Sequence, residues 1–289
     1  GLGNAPFHPV DFSILNQRVS APRLGHAYSV HGLSGNLGWA LSTAFLVGVS
    51  ATSDWRLACL GAALLYALVL ALLLWQRQHL STVAAPRSRE AGGEGEFDFL
   101  RLPVVWWCFA FFLLTTITLA VVHTYSVSIL RALHGVSLAT ASATLTAYML
   151  CGAAGMLAGG FVAARVRRSE QVVAICMSSG AMLLILCASG WLGATGTMVA
   201  LAATGIAVGI GGPSRDMMIR RATPVGATGR IYGTVYSGLD AGLALSPLLF
   251  GVLMDRGWYA ATLAGAGMVL LLAVVVALGV GQRSVRAST

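Results

Sequence analysis

The chain has 289 residues, 57% of them apolar and only 10% charged, with a mean hydropathy of +0.79. A soluble domain carries about 25% charged residues, so this sequence lacks the polar groups needed to cover a water-facing surface. The net charge of +8 comes entirely from Arg, without a single Lys, and those Arg fall in short loops between apolar stretches. That placement marks topology at a membrane surface and argues against a nucleic-acid-binding face.

Nine apolar segments follow one another along the chain: 1–16, 27–50, 56–75, 103–128, 138–164, 170–192, 195–219, 230–253 and 258–281. Most are long enough to cross a hydrocarbon core of about 30 Å as helices. None shows the alternating polarity of a membrane β-strand. An all-α polytopic membrane protein is therefore expected. The first segment lies in a Gly-rich run, Gly1 to Leu15, without a basic n-region. It reads as the continuation of a longer chain. After the third segment, QRQHLSTVAAPRSREAGGEGEFDFLR is polar, charged and glycine-containing, which is linker chemistry. It divides the chain into 1–76, a linker at 77–101, and 102–289. Cys59, Cys108, Cys151, Cys176 and Cys187 all fall inside apolar stretches, without CxxC spacing, and read as small hydrophobes.

Placing the loops alternately on two sides tests the segment count. One side collects 15 Arg, including Arg18, Arg23, Arg165, Arg168 and Arg230; the other holds Arg56, Arg131 and Arg256. So strong an asymmetry is the positive-inside signature, and it places the linker and the C-terminus in the cytoplasm.

Residues 9–46 align without a gap on residues 213–250, at an offset of 204. Pro9 meets Pro213, Gly25 meets Gly229, Tyr28 meets Tyr232, Gly38 meets Gly242, and Ala40-Leu41-Ser42 meets Ala244-Leu245-Ser246. Both copies comprise a helix, an Arg-bearing inside loop and a second helix of the same orientation. They lie six segments apart. Parallel duplication with a six-helix period is the internal symmetry of transporters built from two six-helix halves.

The stretches RLGHAYSVHGLSGNLGWALS, GGFVAARVRRSE and GIGGPSRDMMIRRATPVGATGRIYG resemble the major facilitator superfamily, from about its fourth helix to its C-terminus. The resemblance implies that 1–76 supplies three helices of an N-half bundle and 102–289 a six-helix C-half. It further implies secondary active transport by alternating access, without enzymatic chemistry, in a membrane of the bacterial inner type. Drug or metabolite efflux and organic-anion permeation both fit, with protons as the coupling ion. The partners so implied are a small-molecule substrate, protons and the lipid bilayer, with no nucleic acid and no required oligomer. The family's cytoplasmic gate pattern is incomplete here. Gly160 is followed at the acidic position by Ala164, while Arg165, Arg167 and Arg168 are kept.

Ionisable groups inside spans cost several kcal/mol unless paired or facing water, and each is a functional candidate by default. Asp240 lies ten residues beyond Arg230, about 15 Å from the inner surface at 1.5 Å per residue. Its repeat equivalent, Asn36, has the same depth, so the two are expected to face one another across a central cavity. His8 and Asp11, three residues apart, share one helical face beside Pro9. Arg215 is the repeat equivalent of Asp11, which suggests an opposite-charge pair or an anion site. His31 reads as a core histidine. Pairs at spacing four, Gly155/Gly159, Gly205/Gly209 and Gly238/Gly242, mark close helix approach.

Two other classes of function leave traces. Gly32-Leu33-Ser34-Gly35 has the GxSG pattern of an intramembrane serine protease, with His123 as its base. A channel or non-transporting receptor would share the same helical architecture. No cofactor, nucleotide or metal is implied, and no phosphate-cradling GxxxxGK occurs.

Overall fold

The computed structural model describes residues 7–81, 98–166, 168–223 and 228–286. Its helices, in chain order, are α1 (Phe7–Arg18), α2 (Leu24–Thr52), α3 (Trp55–Trp75), the short α4 (Arg77–Leu80), α5 (Pro103–His134) and α6 (Leu138–Arg165). They continue with α7 (Ser169–Ala188), α8 (Gly193–Ala222), α9 (Thr228–Asp255) and α10 (Tyr259–Arg286). Eight of the nine apolar segments each coincide with one of these helices, and residues 7–16 of the first lie in α1, its residues 1–6 being outside the described residues. Most of the linker lies outside the described residues.

Helix ends follow from local chemistry. α5 starts on Pro103, whose missing N–H costs nothing at a first-turn position. It runs to His134, beyond the expected end at 128, and stops at Gly135 with φ 63°. That left-handed conformation suits glycine and closes the last turn through Gly135 N–H donating to the Arg131 carbonyl. α6 is capped by Ser137, whose Oγ accepts from Thr140 N–H at 3.1 Å.

Among the described residues, seven helices are long and apolar enough to cross a membrane: α3 and α5 to α10. α2 has the length, 29 residues, but carries His26, Ser29, His31, Ser34 and Asn36. The described part of α1 has 12 residues.

In α5–α10, α6 packs on α8, α7 on α8 and α10, and α5 on α9 and α10. Glycine lets two of these contacts close to backbone distance. A Cβ on Gly155 or Gly159 would collide with the carbonyls of Ile206 and Ile210, and one on Gly205 or Gly209 with those of Tyr148 and Gly152. Gly238 and Gly242 do the same for α9 against the α5 carbonyls of Phe109 and Leu113. All three spaced pairs are thus helix-approach sites, as their sequence spacing implied. Hydroxyls add interhelical bonds: Thr118 Oγ1 donates to the Ala266 carbonyl at 3.0 Å, and Ser246 Oγ to that of Ile117 at 3.3 Å.

The first helices dock on this bundle at two places. α1 lies against α9, and α2 lies against α6 and α8. At the α2–α6 crossing, Ser29 Oγ donates to the Met156 carbonyl at 2.7 Å. There, a Cβ on Gly160 would come within 2.7 Å of the Ser29 Cβ, and one on Gly25 within 2.9 Å of the Ala164 nitrogen. Gly160 therefore serves as a crossing point between helices.

Candidate functional site

Where α1 and α2 meet α8, α9 and α5, side chains from all five helices converge. Phe12 is the hub. It is 2% exposed and its ring lies 5.3 Å from Tyr28, 5.3 Å from His31, 4.9 Å from Tyr232 and 5.3 Å from Tyr236. Tyr28 and Tyr232, equivalent in the repeat, thus clasp one ring from opposite copies. Tyr28 Oη donates to Asn16 Oδ1 at 2.5 Å.

Polar groups ring this aromatic hub. On the α8–α9 side, Arg215 Nε donates to Asp216 Oδ1 at 3.0 Å, and Tyr236 Oη donates to the same oxygen at 3.3 Å. The Asp216 side chain is only 6% exposed. The Arg215 guanidinium also lies 4.9 Å from the Phe112 ring centre, a cation–π contact. Burying a charge is tolerable only when it is paired and hydrogen-bonded, and this pair meets both conditions.

On the α1–α2 side, the His8 ring packs against Tyr236 at 4.5 Å. Asp11 Oδ2 stands 3.7 Å from His31 Nε2. His8 and His31 face edge-on with centres 6.4 Å apart. The His8 Nδ1 is buried without a hydrogen-bond partner among the described residues.

The structure brings together several of the expected residues and separates others. His8 and Asp11 do share a face, and His31, read from sequence as a core histidine, completes their cluster. Arg215 is near, but its charge is taken by its neighbour Asp216, so the suggested Arg215–Asp11 pair is replaced by two separate pairs. Asp240 continues the Tyr232–Tyr236 stripe of α9 one turn further and is exposed. Asn36 is exposed on α2, with its Nδ2 3.9 Å from Met156 Sδ. Pro9 lies in the first described turn of α1, where its carbonyl accepts from Ser13 Oγ at 2.7 Å. Pro213 is buried inside α8 and leaves the Gly209 carbonyl without its usual helical donor. Arg165 ends α6, Arg168 precedes α7, and both are exposed. Ser34 Oγ donates to the His31 carbonyl of its own helix at 2.7 Å, while the His123 ring packs edge-on against Tyr148.

Asp216, Tyr236, Phe12 and Asn16 were not singled out from the sequence. The repeat held one signal: Phe12 and Asp216 are equivalent positions, and Tyr28 and Tyr232 are an identity within it.

Among the described residues one cavity lies within the helix bundle and another reaches the junction at His31. A closed, apolar one of about 20 Å³ within α5–α10 is lined by Thr118, Tyr148, Met177 and Leu270, among others, and is too small for an organic substrate. An open groove of about 520 Å³ runs past Leu15, Val19, Arg23, Ala27 and Val30 to His31.

Helical spans of membrane length, packed through glycine, define a multi-pass membrane protein. Residues 124–288, more than half of the chain, match the Major Facilitator Superfamily, and the chain belongs to that family of membrane transporters. No match to a curated protein was found.

Proposed function

We infer that the protein is a proton-coupled secondary transporter that moves a small amphipathic or anionic organic molecule by alternating access. The observation that carries this reading is the junction itself. Charged and titratable groups are gathered where α1 and α2 meet α8 and α9, the same helices that the duplication relates. In this reading 1–76 and 102–289 are parts of two bundles joined by the 77–101 linker. They rock about the shared junction, with the linker and C-terminus on the cytoplasmic side of a bacterial inner membrane. Efflux of drugs or metabolites and uptake of organic anions are the two directions it accommodates.

Asp240 is the proposed proton carrier. A carboxylate at mid-depth in a membrane span is a functional candidate by default. Among the described residues it makes neither an ion pair nor a hydrogen bond. Its repeat partner Asn36 keeps a similar shape without titrating, so one titratable group stands at this level. Asp240→Asn is expected to preserve insertion and folding while abolishing accumulation driven by a pH gradient. The measurement is uptake of a panel of organic cations and anions into proteoliposomes with an imposed gradient, wild type beside variant. Full accumulation by Asp240→Asn overturns the assignment.

A further inference from the structure

We propose that His8, Asp11 and His31 form a binding site for a divalent transition-metal cation of the Zn²⁺ type. One ligand atom from each of the three lies within 4.8 Å of the others. The spacing matters more than the proximity. His31 Nε2 and Asp11 Oδ2 are 3.7 Å apart, beyond the 2.7–3.2 Å typical of a hydrogen bond. Two donors on one tetrahedral ion, with bonds of about 2.0–2.1 Å, stand about 3.4 Å apart. The observed 3.7 Å is close to that value, and no two of the three ligand atoms are more than 4.8 Å apart. At this spacing modest side-chain movements bring all three onto one ion.

Three further observations point the same way. His8 Nδ1 is buried and makes no hydrogen bond among the described residues. A nitrogen removed from water without a partner costs free energy that a metal bond would recover. The charge balance also favours a cation. Arg215, the Arg that faces this junction, is already held by Asp216 at 3.0 Å, so the Asp11 carboxylate is left with two imidazoles that are neutral when they ligate. The rings are also held in place. His8 lies on Tyr236 and His31 stands edge-on to Phe12 at 5.3 Å, so little rotamer freedom is lost on binding.

Two imidazoles and a carboxylate suit Zn²⁺, and also Co²⁺ or Ni²⁺, better than they suit Mg²⁺ or Ca²⁺, which prefer all-oxygen shells. Three protein ligands leave a fourth position open to water or to a donor atom of a bound molecule. Access exists as well. The side chains of His31 and Asp11 are 29% and 28% exposed, and the open groove leads to His31 from the Arg23 end.

The site is independent of whether organic substrates are coupled to protons, and the test is chosen to keep the two apart. Chelator-treated protein in detergent is titrated with Co²⁺ while the visible d–d absorption is followed. One equivalent should bind with the spectrum of a four- or five-coordinate ion and be displaced by Zn²⁺. His8→Gln, Asp11→Asn and His31→Gln should each weaken Co²⁺ binding by at least about tenfold, the lower range seen even for loss of outer-shell partners. His79→Gln, outside the cluster, should leave it unchanged. Should a ligand variant fail to fold, Zn²⁺ must still protect His8 and His31 of the wild type from diethylpyrocarbonate, read by mass spectrometry. Absence of saturable Co²⁺ binding, binding indifferent to all three ligand variants, or modification of both histidines unaffected by Zn²⁺ overturns the proposal.

Discussion

The α6–α8 seam and the junction around Phe12 are both helix interfaces, yet they are built from opposite materials. In the seam, glycine brings backbone to backbone, and Gly155, Gly159, Gly205 and Gly209 leave no room for a Cβ. In the junction, large rings and charged groups keep the helices further apart and meet through hydrogen bonds and aromatic contacts. Lipid gives apolar surfaces little reason to leave it, so association inside a membrane depends on packing and polar contacts. The seam takes the first route and the junction the second. Close packing resists sliding, whereas a hydrogen-bonded aromatic hub can exchange partners. The difference separates a backbone-packed interface from one held by side chains.

Gly209→Leu attacks the seam and should have the largest effect. The added side chain must push against the Gly152 carbonyl, a backbone atom that cannot rotate away. Overpacking of this kind costs about 3 kcal/mol or more, far above the ~1 kcal/mol that leaving glycine gains in helix propensity. The expected result is loss of monodisperse protein on size exclusion in detergent. If Gly209→Leu remains as stable as the wild type, the seam is not rigid and the contrast fails.

Asp216→Ala should rank second. Removing one member of a fully buried pair costs about 3–5 kcal/mol. Arg215 keeps 28% of its side chain exposed, which lowers the expected loss to about 2–3 kcal/mol. Thermal unfolding in detergent measures it, and Asp216→Asn should recover part of the loss by still accepting from Tyr236.

Tyr236→Phe sharpens the comparison with the smallest effect. It removes one hydroxyl, whose bond to Asp216 is 3.3 Å long, and keeps the ring contacts with Phe12 and His8. The stability loss should be about 1 kcal/mol. A loss as large as that of Asp216→Ala would mean that the hydroxyl, rather than the arginine, holds the buried carboxylate.

The helices were legible because lipid imposes a simple rule on sequence: long apolar runs separated by Arg-bearing loops. Boundaries shifted where the rule is silent. α5 continues to His134 because Gly135, rather than a drop in hydropathy, ends it. Half of the most apolar stretch of α5 is buried inside the protein, against 6% for α3, and hydropathy does not separate the two. The site was legible in part. His8 and Asp11 lie on one turn, so their pairing follows from spacing. His31 joins them only through the way α2 returns beside α1, and Asp216 meets Tyr236 only through the packing of α8 on α9. Those contacts depend on helix rotation, which periodicity leaves open when a segment is apolar on every side.

The glycine seam also governs how this chain can change over generations. Every single-nucleotide step away from a glycine codon, short of a stop, adds a Cβ, and at Gly159 or Gly209 that carbon lands on a neighbouring backbone. At these glycines, therefore, no amino-acid change one base away avoids the clash. Outward positions on α3 such as Leu64, Leu68 and Val69 stand open and can drift among apolar residues one base at a time. α3 and the seam helices thus have very different mutational futures, decided by which of them touches another backbone.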